Sequence, residues 1–94
     1  MAKSKFWIVD PSTNKGESLN LGGAGHIQVW YDPLASKEVE NRYRYRYFNV
    51  KSNRNYSTAA HAKKAALASA VSRMTRALEY CKQALEEFDD LPEE

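Results

Sequence analysis

Arginine and tyrosine alternate almost without interruption from Arg42 to Tyr47, followed by Phe48. In an extended strand successive side chains point to opposite faces. One face then carries Arg42, Arg44 and Arg46, and the other Tyr43, Tyr45 and Tyr47. A row of guanidinium groups suits an anionic partner. Each is planar and permanently charged, and its N–H fork matches a phosphate or the edge of a guanine. Trp30 and Gln28, on the preceding apolar segment, add a ring that can stack on a base and a side-chain amide that can hydrogen-bond. Lys51 and Arg54 follow in the next turn, and Lys63 and Lys64 stand near the start of a helical pattern, where free backbone N–H groups favour anions. Arg42, Arg44, Arg46, Lys51, Arg54, Lys63, Lys64, Trp30 and Gln28 are therefore expected to form one contiguous anion-binding surface.

The elements that position these residues follow from hydrophobic periodicity. Lys5–Asp10 is rich in β-branched and aromatic residues and predicts a strand, closed by the turn-forming run Pro11–Gly16. Leu19 and Leu21 alternate with polar residues and predict a short strand. His26–Tyr31 predicts a second clear strand, ended by Asp32-Pro33, and Val39–Val50 a long Arg/Tyr strand. Phe48 and Val50 share parity with the arginines, so a bulge or rim contact is required near Tyr47. Burying tyrosine rings under the helix costs far less than burying unpaired arginines, so the tyrosines should face inward.

From Thr58 the period changes. Leu67, Val71, Met74, Leu78, Cys81, Leu85 and Phe88 recur at alternating spacings of four and three, an a/d-type stripe, within an alanine-rich segment. A helix over about 58–89, capped by Ser57 or Thr58, is predicted. It would be about 48 Å long, against about 17–20 Å for a typical strand. Its second half then outruns the sheet, and Met74, Leu78, Cys81, Leu85 and Phe88 are expected to pair with the same helix of a second copy. The fold class is α+β. A small antiparallel sheet of three to four strands (residues 1–56) is followed by one long helix (57–89) packed on one face and an acidic tail (90–94), all in a single domain.

The net charge of +2 hides a segregation. Residues 37–76 carry ten Lys or Arg against Glu38 and Glu40, whereas residues 77–94 carry Lys82 against seven acids. A basic surface with an acidic end is the pattern of a binding module. The chemistry of catalysis is missing. Gly22-Gly23-Ala24-Gly25 lacks the Gly-Lys-Ser/Thr ending of a phosphate loop and precedes a strand, so it reads as a hairpin connection. His26 and His61 with the single Cys81 make no metal-ligand set, and no nucleophile–base spacing occurs. No cofactor, no metal and no enzymatic activity are expected. The polar N-terminus, the lone cysteine and the want of an 18-residue apolar run point to a cytoplasmic protein without a membrane span.

Tyr43–Val71, with Lys63-Lys64-Ala65-Ala66 at the helix start, resembles the strand-turn-helix half of a double-stranded RNA-binding domain. The resemblance covers a third of the chain. It departs in the spacing of the lysines and in having a strand where that family begins with a helix. The order of strands before one helix is similar to AP2-type and integrase arm-type DNA readers, a likeness of topology alone. Size and the absence of enzyme motifs resemble the accessory and counter-defence proteins of phages and mobile elements. The expected function is a small, non-enzymatic nucleic-acid-binding protein, DNA or RNA, acting as a homodimer. The alternative is a phage or mobile-element protein that binds and inhibits a host defence protein, or that sequesters a nucleotide.

Overall fold

A computed structural model describes residues 6–34, 42–48, 50–52 and 54–92. Its core is a five-stranded antiparallel meander, β1 (Ile8–Asp10), β2 (Gly16–Asn20), β3 (His26–Tyr31), β4 (Tyr43–Tyr47) and β5 (Val50–Lys51), in sequence order across the sheet. One long helix, α1 (Ala59–Glu86), follows. The arrangement is α+β, with five strands in place of the expected three to four. The additional strand comes from the Arg/Tyr segment, which does not run straight through to Val50.

Phe48 takes a positive φ of 52° and turns the chain back, so that Tyr47 pairs with Val50 and Arg46 with Lys51. A left-handed backbone is costly for a bulky residue. Here the ring is compensated by the Tyr47 ring at 4.6 Å and by the Arg73 guanidinium, also at 4.6 Å. The break needed near Tyr47 is thus a tight hairpin rather than a bulge. The expected beginning of this strand, at Val39–Asn41, lies outside the described residues, as do Lys37, Glu38 and Glu40.

The register settles the two faces. Ile27 lies opposite Tyr47, Val29 opposite Tyr45 and Tyr31 opposite Tyr43, whereas Gln28 lies opposite Arg46 and Trp30 opposite Arg44. Ile27, Val29 and Tyr47 are buried together with Ala62, Ala66 and Ala70 of α1. The tyrosines therefore face the helix and the arginines the outside. The Tyr47 hydroxyl reaches the rim, where it donates to the Ala24 carbonyl at 3.2 Å. Tyr31 and Tyr43 meet edge to face at 5.4 Å, and Tyr45 lies 6.1 Å from Tyr56, extending an aromatic layer under the helix.

The helix begins as its sequence dictates. Thr58 is the N-cap, and its hydroxyl accepts from the His61 amide at 3.1 Å. What it presents to the sheet differs from the expected stripe. Ala62, Ala66 and Ala70, four residues apart, are fully covered, whereas Leu67 and Val71 remain exposed. The reason is steric: the sheet supplies tyrosine and isoleucine bulk, and a methyl-sized partner lets the helix axis approach it. Two cations clamp the docked segment. Lys63 pairs with Glu17 at 2.6 Å and lies over the Trp7 ring, and Arg73 lies over Tyr47 and Phe48. Beyond Arg73 every described residue is exposed, and the helix projects about 20 Å past the sheet. The radius of gyration is 17.4 Å, where a compact chain of this length would have roughly 12 Å.

Ala66→Leu should therefore lever the helix off Ile27 and Tyr47. Overpacking of this kind costs about 1–3 kcal/mol. The thermal midpoint should fall by roughly 5–15 °C, while Ala68→Leu, on the exposed side, should shift it by less than about 3 °C. Equal midpoints for the two variants would contradict the alanine contact.

Candidate functional site

The outer face of the sheet is built by every second residue of β1 to β5. On β3 it carries Gln28 and Trp30, on β4 Arg44 and Arg46, with Arg42 just before β4 and Lys51 on β5 opposite Arg46. Successive arginines stand about 6.8 Å apart along the strand. The expected grouping of Gln28, Trp30, Arg42, Arg44, Arg46 and Lys51 is thus present on one surface.

The three arginines differ in how far they are engaged. Arg44 is held by two groups of the chain. One terminal nitrogen lies 3.7 Å from the Asp32 carboxylate, and the other donates to the Ser52 carbonyl at 3.2 Å. Ser52 is itself buried and stitched to Tyr45, donating its amide to the Tyr45 carbonyl at 2.8 Å and accepting from the Tyr45 amide at 3.3 Å. Arg46 lies over the Trp30 ring at 5.7 Å, leaving its charge without a carboxylate partner among the described residues. In all three arginines the Nε atom is shielded from solvent and has no hydrogen-bond acceptor. A buried donor without an acceptor is uncommon and costs free energy.

Two acids share this face, and neither was singled out from sequence. Asp32 has the parity of Trp30, which is the signal that could have found it. Asp10 ends β1 and reaches across Gly16 to accept from the Gln28 amide at 2.9 Å. Gly16 is required there, because a Cβ would collide with the Thr13 hydroxyl. Asp10 also accepts from the Ser12 amide at 3.0 Å. The Ser12 hydroxyl, the Gln28 amide and the Ser12 backbone N–H hold the Asp10 carboxyl below the usual carboxylate range. Gln28 is consequently tied down rather than free to read a ligand.

The remaining predicted residues do not join this surface. Lys63 is turned to the helix side of the sheet by Glu17 and Trp7, so its charge is already matched. Arg54 lies over Tyr56, and with His61 and Lys64 it lines a groove of about 440 Å³ between the helix start and the last sheet segment. The single expected basic surface is therefore two: the outer arginine face and a smaller groove on the helix side. Of the other predicted set, Met74, Leu78, Cys81 and Leu85 lie along the projecting helix, which ends at Glu86 rather than at 89, and Phe88 lies in the turn just past it; all five are exposed.

Among the described residues no three His, Cys, Asp or Glu side chains come together to hold a metal ion, and no helix is long and apolar enough to cross a membrane. No protein-family model, no curated protein and no solved structure matches the chain. The likeness to half of a double-stranded RNA-binding domain therefore rests on the local pattern alone.

The Asp10 cluster makes a pH prediction. A carboxyl whose folded pKa is depressed stabilises the fold above its unfolded pKa, and that contribution is lost as pH falls through the folded value. Stability should be flat above about pH 5 and decline below about pH 4. Asp10→Asn should make the decline shallower when urea midpoints are compared across that range. An unchanged acid limb would exclude Asp10 as a contributor.

Proposed function

We propose that this chain binds nucleic acid through the outer face of its sheet, without catalysing a reaction. The observation that carries this reading is the row Arg42, Arg44 and Arg46 on one sheet face, where Arg42 and Arg46 have no carboxylate partner among the described residues. A phosphate oxygen brings the neutralising charge, and it or the acceptor edge of guanine can accept from the terminal guanidinium N–H groups. Roles divide along the strand. Arg42 and Arg46 make the ligand contacts, Lys51 adds charge beside Arg46, and Trp30 backs the Arg46 guanidinium with its ring. Arg44, anchored by Asp32 and Ser52, holds β4 and β5 in register. Asp10 and Asp32 set the limits of the anion-binding strip, because a phosphate beside either carboxylate is repelled.

The proposal includes a homodimer through Met74, Leu78, Cys81, Leu85 and Phe88, whose apolar side chains would otherwise stay in water. It also includes an intracellular setting, where such a ligand is found. Mixed recognition of duplex and single strands is expected, since arginines aimed at phosphates carry little sequence information.

Binding should be strongly salt-dependent, because each neutralised phosphate releases counterions. Arg42→Ala with Arg46→Ala should weaken binding at least tenfold and reduce the slope of log affinity against log salt by roughly 2. Lys63→Ala should leave that slope unchanged. Fluorescence anisotropy with labelled DNA and RNA, duplex and single-stranded, measures both. No binding to any of them at about 50 mM salt would overturn the reading.

A further inference from the structure

The exposed apolar stripe of α1 runs from Leu67 to Leu85, with Phe88 just past the helix end, and lies about a quarter turn around the helix from the alanines that meet the sheet, at 3.6 residues per turn. The helix is also electrically divided. Its first part holds Lys63, Lys64, Arg73 and Arg76 with no acid, and residues 77–90 hold Glu79, Glu86, Glu87, Asp89 and Asp90 against Lys82. We infer that two copies pair along this stripe with their helices antiparallel, setting their arginine faces side by side, about 30 Å apart, toward one duplex. This rests on the nucleic-acid reading for its ligand, but not for its geometry.

Charge decides the direction. A parallel pair would lay basic half on basic half and acidic half on acidic half, whereas an antiparallel pair lays each beside its opposite. Interlocking decides the register. The staggered positions of one helix must fall between those of the other, and the register that pairs all six stripe positions inside α1 with one another sets Leu67 opposite the partner's Leu85. It sets Val71 opposite the partner's Cys81, and Met74 opposite the partner's Leu78. The two-fold axis then lies level with position 76 along each helix. In that register Lys64, beside the stripe, approaches the partner's Asp89, while Arg73 stays turned to its own sheet.

Symmetry decides where the sheets go. The two-fold axis of an antiparallel pair stands perpendicular to the plane of the two helices. Because each sheet sits a quarter turn from the stripe, the axis carries one sheet onto the same side of that plane as the other. Both arginine faces therefore point the same way. The sheet contacts centre on Ala66, ten residues from the axis, which separates the two sheets by about 30 Å along the helices at ~1.5 Å per residue. One turn of B-DNA spans about 34 Å, so both faces can meet the same side of one duplex.

Light scattering and oxidative cross-linking test the pair without nucleic acid. The native Cys81 should not link to its own copy, because the two lie about 15 Å apart along the helices in this register, beyond disulfide reach. Val71→Cys should give a dimer on a non-reducing gel. A monomer at high micromolar concentration, or a Cys81–Cys81 link in the unaltered chain, would overturn the antiparallel pair.

Duplex length tests the spacing. The salt slope on a duplex of about 20 base pairs should be roughly twice that on one of about 8, because only the longer spans a full turn. In the Met74→Glu and Leu78→Glu double variant the two slopes should be equal. Equal slopes in the unaltered dimer would overturn the paired faces. A cross-linked dimer that binds no duplex would leave the antiparallel pair standing and overturn the nucleic-acid reading itself.

Discussion

The contact between three alanine methyls and the tyrosine side of the sheet sets the rest of the molecule. Because Ala62, Ala66 and Ala70 add almost no bulk, the sheet supplies nearly all the volume of the core, from Ile27, Val29 and Tyr47. A helix that spends its smallest residues on its own sheet keeps its largest ones for elsewhere. Leu67, Val71, Met74, Leu78, Leu85 and Phe88 remain exposed for that reason. The inward tyrosines have a second effect. With period two enforced by the pleat, each ring turned to the helix places a guanidinium on the opposite face.

Electrostatics on the outer face follow from which charges are already matched. Lys63, Arg44 and Arg73 carry positive charge in the sequence but serve the fold, through Glu17, through Asp32 and Ser52, and through the rings of Tyr47 and Phe48. Counting cations therefore overstates the basic surface. On that face Arg42, Arg46 and Lys51 have no carboxylate partner among the described residues. On the proposed reading a surface of this size would give modest affinity, and doubling it in a symmetric pair would gain more than any single added contact.

Much of this was readable from residue order. Strict alternation placed tyrosines inward and arginines outward. His26–Tyr31 is a strand with the expected ends, and Thr58 caps the helix. The parts that were not readable share a cause: each depends on a partner distant in sequence. The parity of Phe48 and Val50 marked a break near Tyr47 but not its form as a hairpin turn, since the left-handed backbone of Phe48 is compensated by Arg73, some 25 residues away. Apolar spacing pointed to the leucine stripe, whereas the sheet selected the alanines, because hydrophobic periodicity says which residues leave water and not which neighbour receives them. Lys63 could not be assigned before Glu17 and Trp7 were placed beneath it.

The two outermost strands are short, three residues in β1 and two in β5. An exposed strand edge is a template on which another chain can add a strand, and long edges invite open-ended stacking. Here each edge offers too few free backbone groups to nucleate such growth, and the β5 edge carries Lys51. A protein that exposes so much apolar surface along one helix is at risk of polymerising, and these truncated edges remove the sheet from that risk. In the proposed pair self-association falls to the helix, where a two-fold contact would use up its own surface and stop at two.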